Sequence, residues 1–294
     1  MILQTSLDEQ TENICRLSLH STGSTANSVN TLVSGYRSFL ANQRQNNMVH
    51  VRREMGHTVV SDPKQAHELG QSFTASEETA IDDLNQLSAI DSLVPSTCGD
   101  SLENLKKGTT ALHALSPYHH ALFELLISDI VLLPSTQANG GSTSDALGVI
   151  WANPSPSWRP LDTLEFLVHE LTHQCMFIDE ICNQHYDYSK IVNKDYWTTS
   201  AILNRPRPAD KVLHSIVVST EILLLRERIL GHPASPRCHP PTTLMRLQVG
   251  RAIDELLAIS SRTEAKGLLA PRAVSLLRNC QMLTAAIDVS PLEH

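Results

Sequence analysis

The chain has 294 residues, of which 41% are hydrophobic and 18% are charged, and its formal net charge is -8. This length can bury a substantial core in one large domain or in two small ones. The acidic balance and the lack of a Lys/Arg cluster argue against nucleic acid as a partner, and no apolar run approaches membrane-spanning length. We therefore expect a globular protein with neither nucleic acid nor membrane as its partner.

The N-terminal sequence, MILQTSLDEQTEN, contains neither a positively charged leader nor an apolar segment, which predicts a cytoplasmic protein. The cysteines are scattered without a C-x-x-C pair. This pattern predicts reduced thiols rather than a disulfide framework or a zinc ribbon. The six positions are Cys15, Cys98, Cys175, Cys182, Cys238 and Cys280.

Residues 1–115 are polar and poor in aromatic side chains, and we predict that they form a helical N-terminal region. Helical periodicity is clearest from Asn27 to Asn46 and from Glu77 to Leu93. The rest of the chain, 116–294, is expected to form the core of the protein and a set of C-terminal helices. Two roles stay open for the N-terminal helices, since they can cover that core or serve as a scaffold.

The sequence pattern becomes more apolar after Ser116. Pro117 begins a predicted helix, and the apolar run from Leu125 to Leu133 contains a predicted buried strand. A Gly/Ser-rich turn follows at 136–145, and the next strand candidate is ALGVIW at 146–151. A strand with a free edge can pair with an extended peptide, whereas an interior strand cannot. The sequence leaves both positions open for this strand.

The stretch DTLEFLVHELTHQCMFIDEI, residues 162–181, contains the motif H-E-x-x-H. Residues four apart on a helix lie on one face, so His169 and His173 can bind one ion with Glu170 beside them. Two neutral imidazoles are suitable ligands for zinc or iron. The motif therefore predicts a metal-binding helix.

The ends and surroundings of this stretch also predict a buried helix. Asp162 is the expected N-cap, and Glu165 completes a capping box. Phe166 and Phe177 flank the histidines on the side where a surface helix would carry charges. An H-E-x-x-H sequence can arise by chance on a surface helix, but these apolar neighbours favour a metal site.

A catalytic metal usually has a third protein ligand, which we expect downstream. The extended zinc-protease pattern fails, because Met176 replaces its glycine and Asp179 replaces its last histidine. The apolar segment from Asp210 to Leu230 is the better candidate, since His214 and Glu221 are seven residues apart on it and share a helical face. We predict that His214 is the third ligand. Glu221 is either a partner that orients a ligand or a ligand itself.

Two arginines precede this segment, in a stretch stiffened by proline. Arg205 and Arg207 alternate with Pro206 and Pro208. A planar guanidinium binds a carboxylate through paired N–H donors, so both arginines are candidate anion ligands. The alternative is solvated charge on a loop.

Three segments together carry a resemblance to a known family. They are GSTSDALGVIWANP, LVHELTHQ and a Tyr-Trp segment leading to RPRPADKVLH. The combination, over about residues 142–230, resembles the 2-oxoglutarate-dependent peptide β-hydroxylases of the H-E-x-x-H type, which are associated with peptide natural products. The resemblance implies an iron(II) dioxygenase that hydroxylates a β-carbon of a ribosomally made peptide.

The same resemblance implies roles for individual residues. His169, His173 and His214 would bind iron(II), and Arg207 together with Arg205 would bind the carboxylate of 2-oxoglutarate. Three histidines depart from the common set of two histidines and one carboxylate at such iron sites, and they suit zinc as well.

A second hypothesis is a zinc metallopeptidase. In that enzyme Glu170 would be the general base that activates a zinc-bound water, and His214 or Glu221 would complete the coordination. A third hypothesis is a peptide-binding protein with a structural metal site. Under the first two hypotheses, residues 116–294 form a metal-binding catalytic core.

For the fold, we predict an α+β protein that is predominantly helical, with a small sheet packed on the metal-binding helix in a zincin-like core. Further helices are expected from Thr242 onward. The sequence leaves open the oligomeric state, the peptide substrate and the choice between iron and zinc.

Overall fold

The structure is a computed structural model that describes residues 7–43, 51, 54–73, 90–94 and 99–288. The described chain divides into two compact units, 7–182 and 183–288. The domain boundary predicted at residue 115 lies inside the first unit. The helix predicted from Glu77 to Leu93 lies for the most part outside the described residues.

Helices make up most of the described part of the first unit. The element ranges are α1 (Leu7–Thr22), α2 (Val29–Gln43), α3 (Pro63–Gln71), α4 (Gly99–Leu115), α5 (Pro117–Leu126) and α6 (Pro160–Cys182). Pro117 begins α5 as predicted, and α2 confirms the helix predicted from Asn27 as far as residue 43. The start of α3 shows the local chemistry: the Asp62 side chain accepts the Gln65 N–H at 2.8 Å, and Pro63 fits the first helical turn.

A four-stranded sheet packs with these helices. Its strands are β1 (Thr58–Val60), β2 (Asp129–Leu132), β3 (Gly140–Gly141) and β4 (Val149–Ala152). The strand order is β1-β2-β4-β3, with β1, β2 and β4 parallel and β3 antiparallel to β4. Both β2 and β4 are buried throughout, and apart from Asp129 their residues are apolar, as expected for strands covered on both faces.

This topology decides a question that the sequence left open. The strand predicted at 146–151 is confirmed in part as β4, which begins only at Val149 and lies between β2 and β3. An interior strand has no free edge, so β4 cannot pair with a peptide. At this end of the described sheet, the edge strand is the short β3.

The helix α6 carries the H-E-x-x-H motif and begins two residues earlier than predicted, at Pro160. Asp162 is therefore not the N-cap. Its carboxylate instead accepts the Arg159 N–H at 2.9 Å and the Arg159 Nε–H at 2.9 Å, so it caps the helix from inside the first turn. The prediction that α6 is buried on both sides is confirmed.

The second unit is also mainly helical. Its elements are α7 (Tyr188–Ile191), β5 (Thr198–Thr199), β6 (Pro206–Arg207), α8 (Ala209–Leu225), α9 (Thr242–Ser260) and α10 (Pro271–Ala285). The helix predicted up to Leu230 is confirmed as far as Leu225. Residues 226–230 form a π-helical turn, in which the Gly231 N–H donates to the Arg226 carbonyl at 2.8 Å. Helix α8 packs against both α9 and α10.

The described chain is thus predominantly helical with one small mixed sheet and a two-stranded hairpin, and the predicted α+β class is confirmed at this level. Five cysteines lie in the described part of the chain, and all of them are free thiols. None of the helices described is both long and apolar enough to cross a membrane.

Candidate metal centre

His169 and His173 interrupt an otherwise buried stretch of α6. From 162 to 179, all of which the structure describes, these two side chains are half-buried and every other residue is buried. Their ring centroids lie 5.0 Å apart and their planes meet at 62°. Because the two imidazoles share one helical face, they are placed to converge on one ion.

Two phenylalanines lie before and after this pair along α6. The ring of Phe177 stacks on His173, with centroids 6.2 Å apart and an interplanar angle of 20°. Near the start of α6, Phe166 packs against Trp158 at 5.7 Å. Both phenylalanines are buried. An ion held by the histidines would therefore have apolar neighbours on two sides, which limits water access.

Glu170 lies beside the histidines as a buried carboxyl group. It is 3% exposed, and its Oε1 lies 3.9 Å from His169 Nε2. Burial raises the pKa of Glu170 to about 8, because the charged form loses its hydration. Within the described residues, Glu170 Oε2 has no hydrogen-bond partner. A cation bound next to it would offset this cost.

Ser142 is the polar neighbour that opposes this rise in the pKa of Glu170, since a hydroxyl donor favours the carboxylate. The two groups do not reach full hydrogen-bond geometry, because Ser142 Oγ also lacks a hydrogen-bond partner in the described chain. We therefore regard them as neighbours rather than as a bonded pair.

The approach of β3 to α6 explains how Ser142 comes close to Glu170. A Cβ atom added at Gly140 would lie only 2.4 Å from Phe166 Cζ, so the strand runs directly against this face of the helix. Ser142 directly follows β3, two residues after Gly140, and Phe166 and Glu170 are one turn apart along α6. The Gly/Ser-rich sequence predicts only a turn here, and it assigns no role to Ser142. The Gly-Gly pair before it was the available signal, because adjacent glycines permit such a close approach.

The residues present fit a metal cofactor: two imidazoles share one face of α6, and the carboxyl group of Glu170, 3.9 Å from His169, has one oxygen without a hydrogen-bond partner among the described residues. They form a partial ligand set. Across the described ranges, no group of three or more His, Cys, Asp or Glu side chains is arranged to hold an ion.

Comparison of the chain with protein-family models and with curated proteins finds no match. The resemblance to the peptide β-hydroxylases therefore depends on the three sequence segments alone and stays a prediction.

The predicted third ligand lies in the second unit. His214 is on α8 and is 5% exposed, and Glu221, two turns later on the same helix, is 1% exposed. Burial raises the pKa of Cys280 on α10 to about 12, and the charge of Glu221 adds to this rise. The burial of nearly every residue of α8 confirms the prediction that this helix is apolar on almost all sides. The assignment of His214 as a metal ligand stays a prediction.

The two predicted anion ligands lie on the β5–β6 hairpin. Arg207 is half-buried at the end of β6, whereas the Arg205 side chain is exposed in the turn. The turn is closed by the Ser200 N–H, which donates to the Arg205 carbonyl at 2.9 Å. The Ser215 hydroxyl on α8 accepts the Ala201 N–H at 2.9 Å and so fixes the hairpin to that helix. Arg207 is thus on a more rigid support than a free loop would provide.

Proposed function

We propose that the protein is an iron(II)- and 2-oxoglutarate-dependent β-hydroxylase of a ribosomally made peptide, with a zincin-like core formed by α6 and the small sheet. The observation that carries the proposal is the pair of half-buried imidazoles, His169 and His173, on a helix that is buried everywhere around them. Two imidazoles four residues apart on one face of a helix can bind one metal ion, and the buried surroundings would keep that ion largely away from water.

The chain's own residues would perform three tasks in this reaction. His169 and His173 would hold the ion, and His214 is proposed as the further ligand. Bound iron(II) and 2-oxoglutarate would supply the oxygen activation and the electrons that no side chain can provide. Phe166 and Phe177 would exclude water from the reacting groups.

A second site must bind the cosubstrate. 2-Oxoglutarate has two carboxylates, and a half-buried guanidinium such as Arg207 can hold one of them with two parallel N–H donors. Arg205 is the more exposed of the two arginines, so we assign it the smaller contribution.

The position of β3 supports the proposal that the substrate is a peptide. This short strand pairs with β4 on one side, and in the described sheet it is the last strand at that end. An extended peptide can add to such an edge through backbone hydrogen bonds. The edge lies against α6 at Phe166, one helical turn before Glu170.

The test is an anaerobic titration of metal-free protein, first with iron(II) and then with 2-oxoglutarate, followed by visible absorption. A charge-transfer band that needs both components is expected for wild type. It should be absent in His169→Ala and in His214→Ala, and Arg207→Ala should need a higher concentration of 2-oxoglutarate. The control is His20→Ala, on an exposed position of α1. A wild-type protein that binds iron(II) without any such band would overturn the hydroxylase proposal.

A zinc metallopeptidase is the second candidate, and the buried Glu170 next to His169 favours it, since a zinc-activated water needs a carboxylate base. Glu170→Gln separates the two functions. In a peptidase this variant would bind zinc and fail to cleave peptides. In the hydroxylase it would keep the band that depends on 2-oxoglutarate.

A further inference from the structure

The outward face of α9 carries an open groove, which we call the α9 groove. Its volume is about 720 Å³, and its described lining lies along one face of that helix. Gly250 is at the centre of the groove. Among the described residues, no atom lies within 4 Å of a Cβ atom added at Gly250, so this part of the chain leaves the groove open above the backbone at that point.

Large apolar side chains are exposed on α9 and α10, and one of them, Leu247, lines the groove. Leu247 is 72% exposed and Leu244 is 47% exposed on α9, and Met282 on α10 is 65% exposed. A smaller hollow of about 170 Å³ lies between α9 and α10, beside Gly250 and Thr284. Exposed leucines beside an open glycine are the features that accept another helix.

The charges of the α9 groove fall into two classes. Arg251 donates from Nε to Glu255 Oε1 at 3.0 Å, and Glu255 Oε2 accepts the Thr199 N–H at 2.8 Å, so this pair is already satisfied within the chain. Arg246 and Asp254 have neither an ion pair nor a hydrogen bond to any residue that the structure describes. They lie four residues before and four residues after Gly250.

We propose that the α9 groove binds the α9 helix of a second copy of this chain, antiparallel, with the twofold axis at Gly250. In such a pair, the residue four positions before the axis on one helix is level with the residue four positions after it on the other. Each Arg246 then faces the Asp254 of the other copy, and the contact forms twice. Gly250 permits close approach at the crossing point, and each Leu247, three residues before the axis, packs within one helical turn of that point.

A small-molecule ligand fits these features less well. Small-molecule sites are concave and enclose most of their ligand, whereas the α9 groove is an open helix face. Opposite charges placed symmetrically about one glycine are a self-complementary pattern, which is what an isologous interface requires.

The first experiment is sedimentation velocity of the full chain from roughly micromolar to millimolar concentration. We expect a concentration-dependent dimer for wild type. Arg246→Asp and Asp254→Arg should each weaken dimerisation by about tenfold or more, because two attractive pairs become two repulsive ones. The double variant Arg246→Asp/Asp254→Arg should restore the wild-type association. A chain that stays monomeric throughout, or single variants that dimerise as wild type does, would overturn the proposal.

Two controls separate the interface from the fold. Lys107→Glu makes the same kind of charge change on an exposed position of α4 and should leave dimerisation unchanged. Gly250→Leu should raise the helical propensity of α9 without a clash inside the chain, yet it should abolish the dimer. A Gly250→Leu protein that remains folded by circular dichroism and dimerises like wild type would contradict the assignment of the axis.

Discussion

The side chain of Gln174 holds the backbone of Gly148, with Gln174 Oε1 accepting the Gly148 N–H at 2.8 Å. The same amide donates from Nε2 to the Val149 carbonyl at 3.1 Å. Since Gln174 directly follows His173, the turn of α6 that carries the metal motif is tied to the interior strand β4. The sheet thus positions the histidines through a buried side chain that is not itself a candidate ligand.

Replacement of Gln174 by methionine tests this connection. Gln174→Met keeps the length of the side chain but leaves a buried N–H and a buried carbonyl without partners, which should lower the free energy of unfolding by about 2–4 kcal/mol. Urea denaturation measures the change. Gln71→Met, on the exposed end of α3, should change it by less than about 0.5 kcal/mol. Equal effects at the two sites would show that the Gln174 amide does not stabilise the fold.

Two helical glycines predict opposite effects of the same substitution. A Cβ atom at Gly108 on α4 would lie 2.3 Å from Thr163 Cγ2 on α6, so Gly108→Ala should destabilise the protein by about 1–3 kcal/mol. Gly250 has open space at the same position, and Gly250→Ala should stabilise by about 0.5–1 kcal/mol through helix propensity. Thermal unfolding of both variants at low protein concentration compares them. A stabilising Gly108→Ala would mean that α4 and α6 can separate at no cost.

Arg37 connects three backbone segments of the first unit. Its Nη2 donates to the carbonyls of Gly56 and Ile127, both at 2.9 Å, and of Glu124 at 3.0 Å. The side chain is 1% exposed, so Arg37→Met would leave buried carbonyls without a donor. We expect a loss of about 3 kcal/mol or more in unfolding free energy, measured with urea.

The matched control for that variant is Arg16→Met. Arg16 pairs with Glu12 on the exposed surface of α1, where such a pair contributes about 0.5 kcal/mol or less. A small effect at Arg37, comparable to that at Arg16, would contradict the role of Arg37 as a buried donor.

The lowered pKa of His120 predicts that the stability of the protein depends on pH. Burial lowers the pKa of His120, the neighbouring charges of His113 and His57 lower it further, and the carboxylate of Glu124, 3.7 Å away, partly opposes this. The pKa of His120 is lower in the folded state than in the unfolded state. The stability that depends on neutral His120 is therefore present above about pH 6.5 and is lost as the pH falls through the folded pKa. His120→Gln should therefore lose less stability than wild type between about pH 7 and pH 5. Urea midpoints at the two pH values test this, and parallel losses would rule it out.

Local patterns in the sequence determined most of the helices and the buried strands. The apolar run before Pro134 gave β2, the spacing of the apolar residues gave α6 and α8, and four-residue spacing placed His169 and His173 on one face. These features follow from the regular repeat of a helix or a strand. The spacing of apolar and polar residues along the sequence reflects that repeat.

The tertiary structure determined which elements pack against one another and which side chains become neighbours. The interior position of β4, the approach of β3 to Phe166 and the neighbourhood of Ser142 and Glu170 all depend on contacts between segments far apart in sequence. The start of α6 was misplaced for a related reason, because Asp162 bonds back to Arg159 rather than capping the helix from outside. A side chain's type limits what it can bind, but only the folded chain sets its neighbours, its exposure and its charge.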